Sequence, residues 1–264
     1  MTVLITGAST GIGRELTKIF AKNGYDVVIT ARSKKKLDEL SKDIEKFSSS
    51  KVTVIEKDLS CINSGKELFC KIKEKGIIVD ILINNAGVGD TGFFFESNID
   101  KIINMLELNI KNLTILTRLF SSEMAHRKNG GILNVASTGS YMPGPFIAVY
   151  YATKAYVLSF SEAIREELRD FNVKVSVLCP GATITEFSKG AHKLDLKGAM
   201  TAEKVAYIAY NKFMKGKAVI VPGYFNRVGI FFSKIMPRKL VGSIIGKSQK
   251  KLHEGFMTKN SHIG

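Results

Sequence analysis

Cysteine is scarce in this chain, and the three present, Cys61, Cys70 and Cys179, are odd in number, scattered and without metal-ligand spacing. That argues against a disulfide framework and for free thiols in a reducing compartment. The four histidines, His126, His192, His253 and His262, are dispersed, so no zinc cluster and no metal-dependent chemistry are expected. No stretch rich in proline, glycine or serine and no solenoid-length repeat interrupts the 264 residues, which predicts a single domain over 1–264. No uninterrupted apolar run is long enough to span a bilayer. A first strand expected from Thr2 leaves no room for a signal peptide, so a cytoplasmic protein is expected. Acids are scarce in one place only. Residues 189–264 carry 15 Lys and Arg against 3 Asp and Glu, whereas residues 1–188 carry 24 against 21. A basic tail on a near-neutral body suits an anionic surface, a charged substrate or simply a solvated face.

What is present alternates. Val3–Ile5, Val27–Ile29, Val52–Ile55, Ile77–Ile83, Ile132–Ala136 and Val173–Leu178 are short apolar runs rich in β-branched residues. Between them lie segments of helical period: Ile12–Asn23, Lys34–Phe47, a helix through Leu68 and Ile72, a long helix over Ile99–Arg127, and one carrying Tyr150 to Arg169. Continuous apolar strands separated by amphipathic helices predict an α/β fold, a Rossmann-like doubly wound parallel sheet of about seven strands with helices on both faces. Ligands are then expected at the carboxyl ends of the strands.

The first such end is Thr6-Gly7-Ala8-Ser9-Thr10-Gly11-Ile12-Gly13. Glycines let the backbone approach a phosphate closely, and the following helix offers free N–H groups. The spacing is not that of the usual dinucleotide fingerprint. After the second strand no acid is present to bond a ribose 2′-hydroxyl. Arg32 stands there instead, with Lys34, Lys35 and Lys36 behind it, which suits a 2′-phosphate and hence NADP(H). Asp58 is either an adenine-binding acceptor or the N-cap of the next helix.

Tyr150 and Lys154 stand four apart and share one helix face. An ammonium beside a phenol favours its ionised form, and lowering a phenol by about three pH units needs roughly 4 kcal/mol. Such a tyrosine can exchange a proton with a carbonyl or alcohol oxygen, which Ser137 could hold by a hydrogen bond. Tyr151 has Ala155 four residues on and cannot take the same role. Thr138 and Ser140 compete with Ser137 as hydroxyls in the same loop.

Together, the glycine turn, Asp58-Leu59, Asn84-Asn85-Ala86-Gly87, Asn109, Ser137, Tyr150-x-x-x-Lys154 and Pro180-Gly181 with Thr185 make the chain resemble the short-chain dehydrogenase/reductase family over about residues 2–190. The resemblance implies a catalytic tetrad of Asn109, Ser137, Tyr150 and Lys154, with Asn109 holding a water in a proton relay. It also implies a cofactor site of Gly7, Ser9, Thr10, Gly11, Ile12, Gly13, Arg32, Asp58, Leu59, Asn85, Ala86, Gly87, Tyr150, Lys154, Pro180, Gly181, Thr183 and Thr185. By analogy with the family a homo-oligomer, dimer or tetramer, is expected.

The core is then expected over about 2–222, with a substrate lid over about 186–215 whose Phe187, Ala191, Leu194, Leu196 and Met200 hint at an apolar pocket. A basic, apolar extension follows over about 223–264, either packing on the domain or a partner subunit or lying on a membrane surface. The tail resembles, loosely, extensions in reductases near hydroxysteroid and long-chain 3-oxoacyl enzymes, which implies an apolar substrate. Nucleic acid is not expected as a partner, since no recognised motif accompanies the charge. An NADP(H)-binding sensor or membrane-surface scaffold without turnover is the alternative to an enzyme.

Overall fold

The computed structural model describes residues 1–186 and 198–260, with side chains as far as Leu252. Strands β1 (Thr2–Thr6), β2 (Asp26–Ala31), β3 (Val52–Glu56), β4 (Ile81–Asn84), β5 (Gly130–Val135) and β6 (Val173–Leu178) alternate with helices α1 (Gly11–Lys22), α2 (Lys34–Glu45), α3 (Ser64–Glu74), α4 (Ile99–Leu106), α5 (Leu113–His126) and α6 (Ala148–Arg169). Beyond β6 come the two-residue strands β7 (Thr183–Ile184) and β8 (Met200–Thr201), then α7 (Ala202–Met214), β9 (Val219–Ile220), α8 (Tyr224–Ile235) and α9 (Arg238–Asn260).

Seven strands form one sheet in the order β3-β2-β1-β4-β5-β6-β9, every neighbouring pair parallel. The chain therefore winds outward from β1 in both directions, and the reversal of direction between β1 and β4 opens a crevice at the strand ends. Both faces of the sheet are covered, which is why the strands are predominantly apolar. Val3, Ile5, Val27, Ile29, Ile81 and Ile83 pack under α1, α2 and α7 with Leu16, Phe20, Leu37, Leu40 and Phe213. The alternate residues Leu4, Val28, Leu82 and Ile132 pack on the other face with Leu68, Ile72, Leu116, Phe120 and Met124.

Two expectations need correction. The long helix over Ile99–Arg127 is two helices joined by a π-helical turn, Glu107–Asn112. An extra residue in the turn leaves the apolar period readable on both sides, so the sequence pattern runs through it. The segment expected as a lid over about 186–215 is in part a core helix. Residues 202–214 are α7, whose Val205, Ala206, Ala209 and Phe213 are buried in the core against α1. Phe187, Ala191, Leu194 and Leu196 lie outside the described residues, and Met200 belongs to β8.

Candidate active site

The turn after β1 is shaped by what its glycines exclude. Gly7 and Gly11 have φ of +65° and +55°, where a side chain is strained. A Cβ on Gly7 would lie 2.8 Å from Ala86 Cα, and one on Gly11 2.9 Å from Thr185 Cγ2. Gly13 sits deeper: its Cβ would meet Gly7 O and Asn85 Nδ2, both at 2.4 Å. Asn85 explains the shape, because its Nδ2 donates to Thr6 O at 2.9 Å and Gly7 O at 3.1 Å. The amides of Asn85 and Ala86 both donate to Thr6 Oγ1 at 3.0 Å. The β4 loop thus clamps the glycine turn. Asn85 lines the cleft as expected, but its amide side chain is a brace for the backbone.

A cleft of about 700 Å³ runs along the strand ends. Its walls include Gly7, Ser9, Thr10, Gly11, Ile12, Arg32, Asp58, Leu59, Asn85, Ala86, Gly87, Ser137, Tyr150, Lys154, Pro180, Gly181, Thr183 and Thr185. Of the residues expected at the site, Gly13 and Asn109 are the two set behind this wall.

At one end the cleft suits a phosphorylated dinucleotide. The N-cap of α1, Thr10, makes no side-chain capping bond, and no acid stands in the first turn, so the helix N-terminus retains its donors and positive potential. The buried hydroxyl of Thr30, also on the cleft wall, has no hydrogen-bond partner among the described residues. Of the cations after β2, Lys34 pairs with Asp38 and Lys36 with Glu186, both at 2.7 Å. Arg32 is exposed on the wall and, among the described residues, makes no ion pair. Asp58 is not a helix cap, since α3 is capped at Asn63. One of its carboxylate oxygens accepts from the amide and hydroxyl of Ser60, at 2.9 and 2.7 Å.

At the other end stand Ser137, after β5, and Tyr150 and Lys154, in the first turns of α6. The Ser137 hydroxyl hydrogen-bonds Tyr150 and accepts from the Gly139 amide at 3.1 Å. Its competitor Ser140 is occupied elsewhere, donating to Lys154 O at 2.7 Å. The ring of Tyr151 fills space that only Gly139 and Gly144 leave open, at 2.6 and 2.5 Å from their would-be Cβ atoms, so packing accounts for it. Lys154 is buried, donates to Val135 O at 2.8 Å, and lies 5.7 Å from the centre of the Tyr150 ring. Bare Gly87 makes room for it: a Cβ there would stand 3.2 Å from Lys154 Nζ and 3.3 Å from Asn109 Oδ1.

Burial dominates the electrostatics. It holds the half-buried Tyr150 phenol above its ordinary value of 10.0, with the Ser137 hydrogen bond acting in the opposite direction. Burial also pushes the Lys154 ammonium down from 10.5 to about 8. In the protein by itself burial therefore outweighs the Ser137 hydrogen bond, and Lys154 is not among the groups that shift the phenol.

Asn109 sits in the π-helical turn, fully buried. Its Oδ1 accepts from the Val88 amide at 3.0 Å, while its Nδ2 donates to Val88 O at 2.8 Å and Thr153 Oγ1 at 3.1 Å. Its side chain thus ties the β4 loop to α6. Sequence reasoning missed Thr153, and also the buried chain in which Asn84 Nδ2 donates to Asn134 Oδ1 and Asn134 Nδ2 to Ser161 Oγ, each at 2.9 Å. Polar residues in otherwise apolar strands were the available signal. Gln249, which lines the cleft from α9, left no such sign.

A parallel sheet with a glycine-rich turn at one end of its crevice and a Ser-Tyr-Lys cluster at the other is the arrangement of a dehydrogenase family. The short chain dehydrogenase profile matches residues 1–194, and the chain belongs to that family. It is 32% identical over 190 residues to mouse 17-beta-hydroxysteroid dehydrogenase type 3, covering 70% of this chain and 61% of that one. It is 34% identical over 192 residues to zebrafish very-long-chain 3-oxoacyl-CoA reductase-B, with 70% and 60% covered. The chain thus spans about three fifths of the length of these relatives. Among solved structures, a short-chain dehydrogenase from Sphingobium yanoikuyae in complex with NADPH superposes with a TM-score of 0.81 at 30% identity, covering 88% of this chain and 92% of that one.

Proposed function

We propose that the protein is an NADPH-dependent oxidoreductase that reduces a ketone or aldehyde carried on a large apolar body. The observation that carries this reading is the meeting, in one cleft, of the α1 phosphate cradle with Ser137, Tyr150 and Lys154. The absence of an acid after β2, Arg32 on the wall and the NADPH complex of a structural neighbour favour NADPH over NADH. The names of the two relatives, a hydroxysteroid dehydrogenase and a very-long-chain 3-oxoacyl-CoA reductase, favour an apolar substrate.

The bound nicotinamide supplies the hydride. Tyr150, held protonated by burial, donates its phenolic proton to the substrate oxygen as negative charge builds there. Ser137 donates a hydrogen bond to the same oxygen and fixes its place. Lys154, protonated below about pH 8, faces the phenolate that Tyr150 becomes, so its field acts when the charge appears. Asn109 keeps Val88 and Thr153 in register and so positions the α6 turn that carries Tyr150. The water relay implied by the family resemblance would sit beside it.

The test is NADPH oxidation by purified protein against steroids, 3-oxoacyl thioesters, aldehydes and quinones, with Tyr150→Phe alongside. Turnover that falls about 100-fold or more in the variant is expected, the size of a lost general acid. An unchanged rate in the variant would sink the mechanism. NADPH binding with no turnover across the panel would favour the sensor.

A further inference from the structure

Helix α8 is packed the wrong way round for a soluble protein. Tyr224, Phe225, Phe231, Phe232 and Ile235 fall on one arc of about 120° at 100° per residue. They are 54–87% exposed. The opposite side carries Asn226 and Ser233 with Ile230, and Ile230 is the buried apolar residue of the helix. This orientation is fixed. Asn226 fills the space over Gly181, 2.5 Å from its would-be Cβ, and donates to Pro222 O at 2.7 Å. Lys234 lies 5.1 Å over the Tyr141 ring.

Helix α9 also turns apolar side chains outward. Gly242 and Gly246 let it lie on Pro143 and Pro145, each 3.3 Å from a would-be Cβ, and Val241 is buried. Leu240 and Ile244 are exposed, and Lys247 and Lys251 follow them on the same side. Bulky apolar side chains exposed in this number mark a binding surface.

Charge says what it binds. Residues 223–252 hold seven Lys and Arg and no Asp or Glu. A second copy docking through this segment would bring like charge against like, whereas an anionic lipid surface complements it. No helix among the described residues is long and apolar enough to cross a membrane. Bulky apolar side chains flanked by lysines suit a helix lying in the interface plane. We propose that the outer faces of α8 and α9 dock on an anionic bilayer, the α8 aromatics entering the interfacial region and the α9 lysines meeting the headgroups. Gln249, on the inner side of α9, lines the cleft, so the helix that meets lipid also walls the candidate active site.

The test is sedimentation of the full-length protein with vesicles of phosphatidylcholine alone and of phosphatidylcholine mixed with phosphatidylglycerol. The comparison is a Phe225→Ser, Phe231→Ser, Phe232→Ser variant, whose fold is checked by circular dichroism. The expected result is binding to the mixed vesicles that weakens about tenfold or more in the variant and falls as salt rises. Three results would overturn the proposal: no binding to either vesicle, equal binding by a folded variant, or a wild-type dimer that the triple substitution splits while vesicles capture neither form.

Discussion

The buried ammonium of Lys154 should make the protein less stable than it could be, and the effect should depend on pH in a defined direction. A fall from 10.5 to about 8 corresponds to about 3 kcal/mol against the charged form in the folded state. Replacing Lys154 with Met removes that cost and fills similar volume. It forfeits the hydrogen bond to Val135 O, a loss of about 1–1.5 kcal/mol. In the absence of cofactor, Lys154→Met should therefore be more stable than wild type by roughly 1–2 kcal/mol near pH 7. Between about pH 8 and 10.5 the unfolded wild-type chain holds a proton that the folded chain has released, so wild-type stability rises with pH relative to the variant. The advantage of the variant is thus full below about pH 8 and shrinks towards zero or below by about pH 10. Urea unfolding of both proteins from neutral to alkaline pH reads this out. Comparing the pair cancels other titrating groups, the tyrosines included. A pH-independent difference, or a variant whose advantage grows with pH, would refute the reasoning. NADPH turnover by the variant should be lost, which separates the stability of the site from its function.

Three further outcomes are expected. Arg32→Glu should raise the KM for NADPH about 10- to 100-fold while leaving that for NADH nearly unchanged, the loss of charge-assisted bonds to a 2′-phosphate; parallel shifts for both cofactors would remove Arg32 from that role. Gly13→Ala should cost roughly 1–3 kcal/mol and weaken NADPH binding, because its Cβ meets Gly7 O and Asn85 at 2.4 Å. Gly229→Ala, in the interior of α8 with nothing within 4 Å, should instead stabilise by about 0.5–1 kcal/mol in thermal melts.

The strands and the site were legible for the same physical reason. A strand buried on both faces is apolar at most positions, so β1, β2 and β5 stand out in the sequence, and the residues just past their ends are those that the topology gathers in one crevice. Asn109 was legible only by resemblance. Its importance lies in a π-helical turn and in two bonds to Val88, a residue 21 positions away, and no local pattern encodes either. The same holds for Asn85, whose work is to clamp a backbone turn 79 residues upstream.

The tail was ambiguous for a different reason. Helical periodicity states that a helix has an apolar side, and the usual inference is that this side faces the core. The inference assumes that water is the only solvent. In α8 the polar side is fixed inward by a close approach, Asn226 on Gly181, that depends on the absence of a Cβ in a loop 45 residues earlier. Once that contact is made, the apolar arc has no core to enter. A basic amphipathic segment therefore reads the same whether it packs on its own domain or on lipid, and only its placement separates the two. Here the placement turns the aromatics outward, and the lack of any acid from 223 to 252 leaves an anionic surface as the complement they fit.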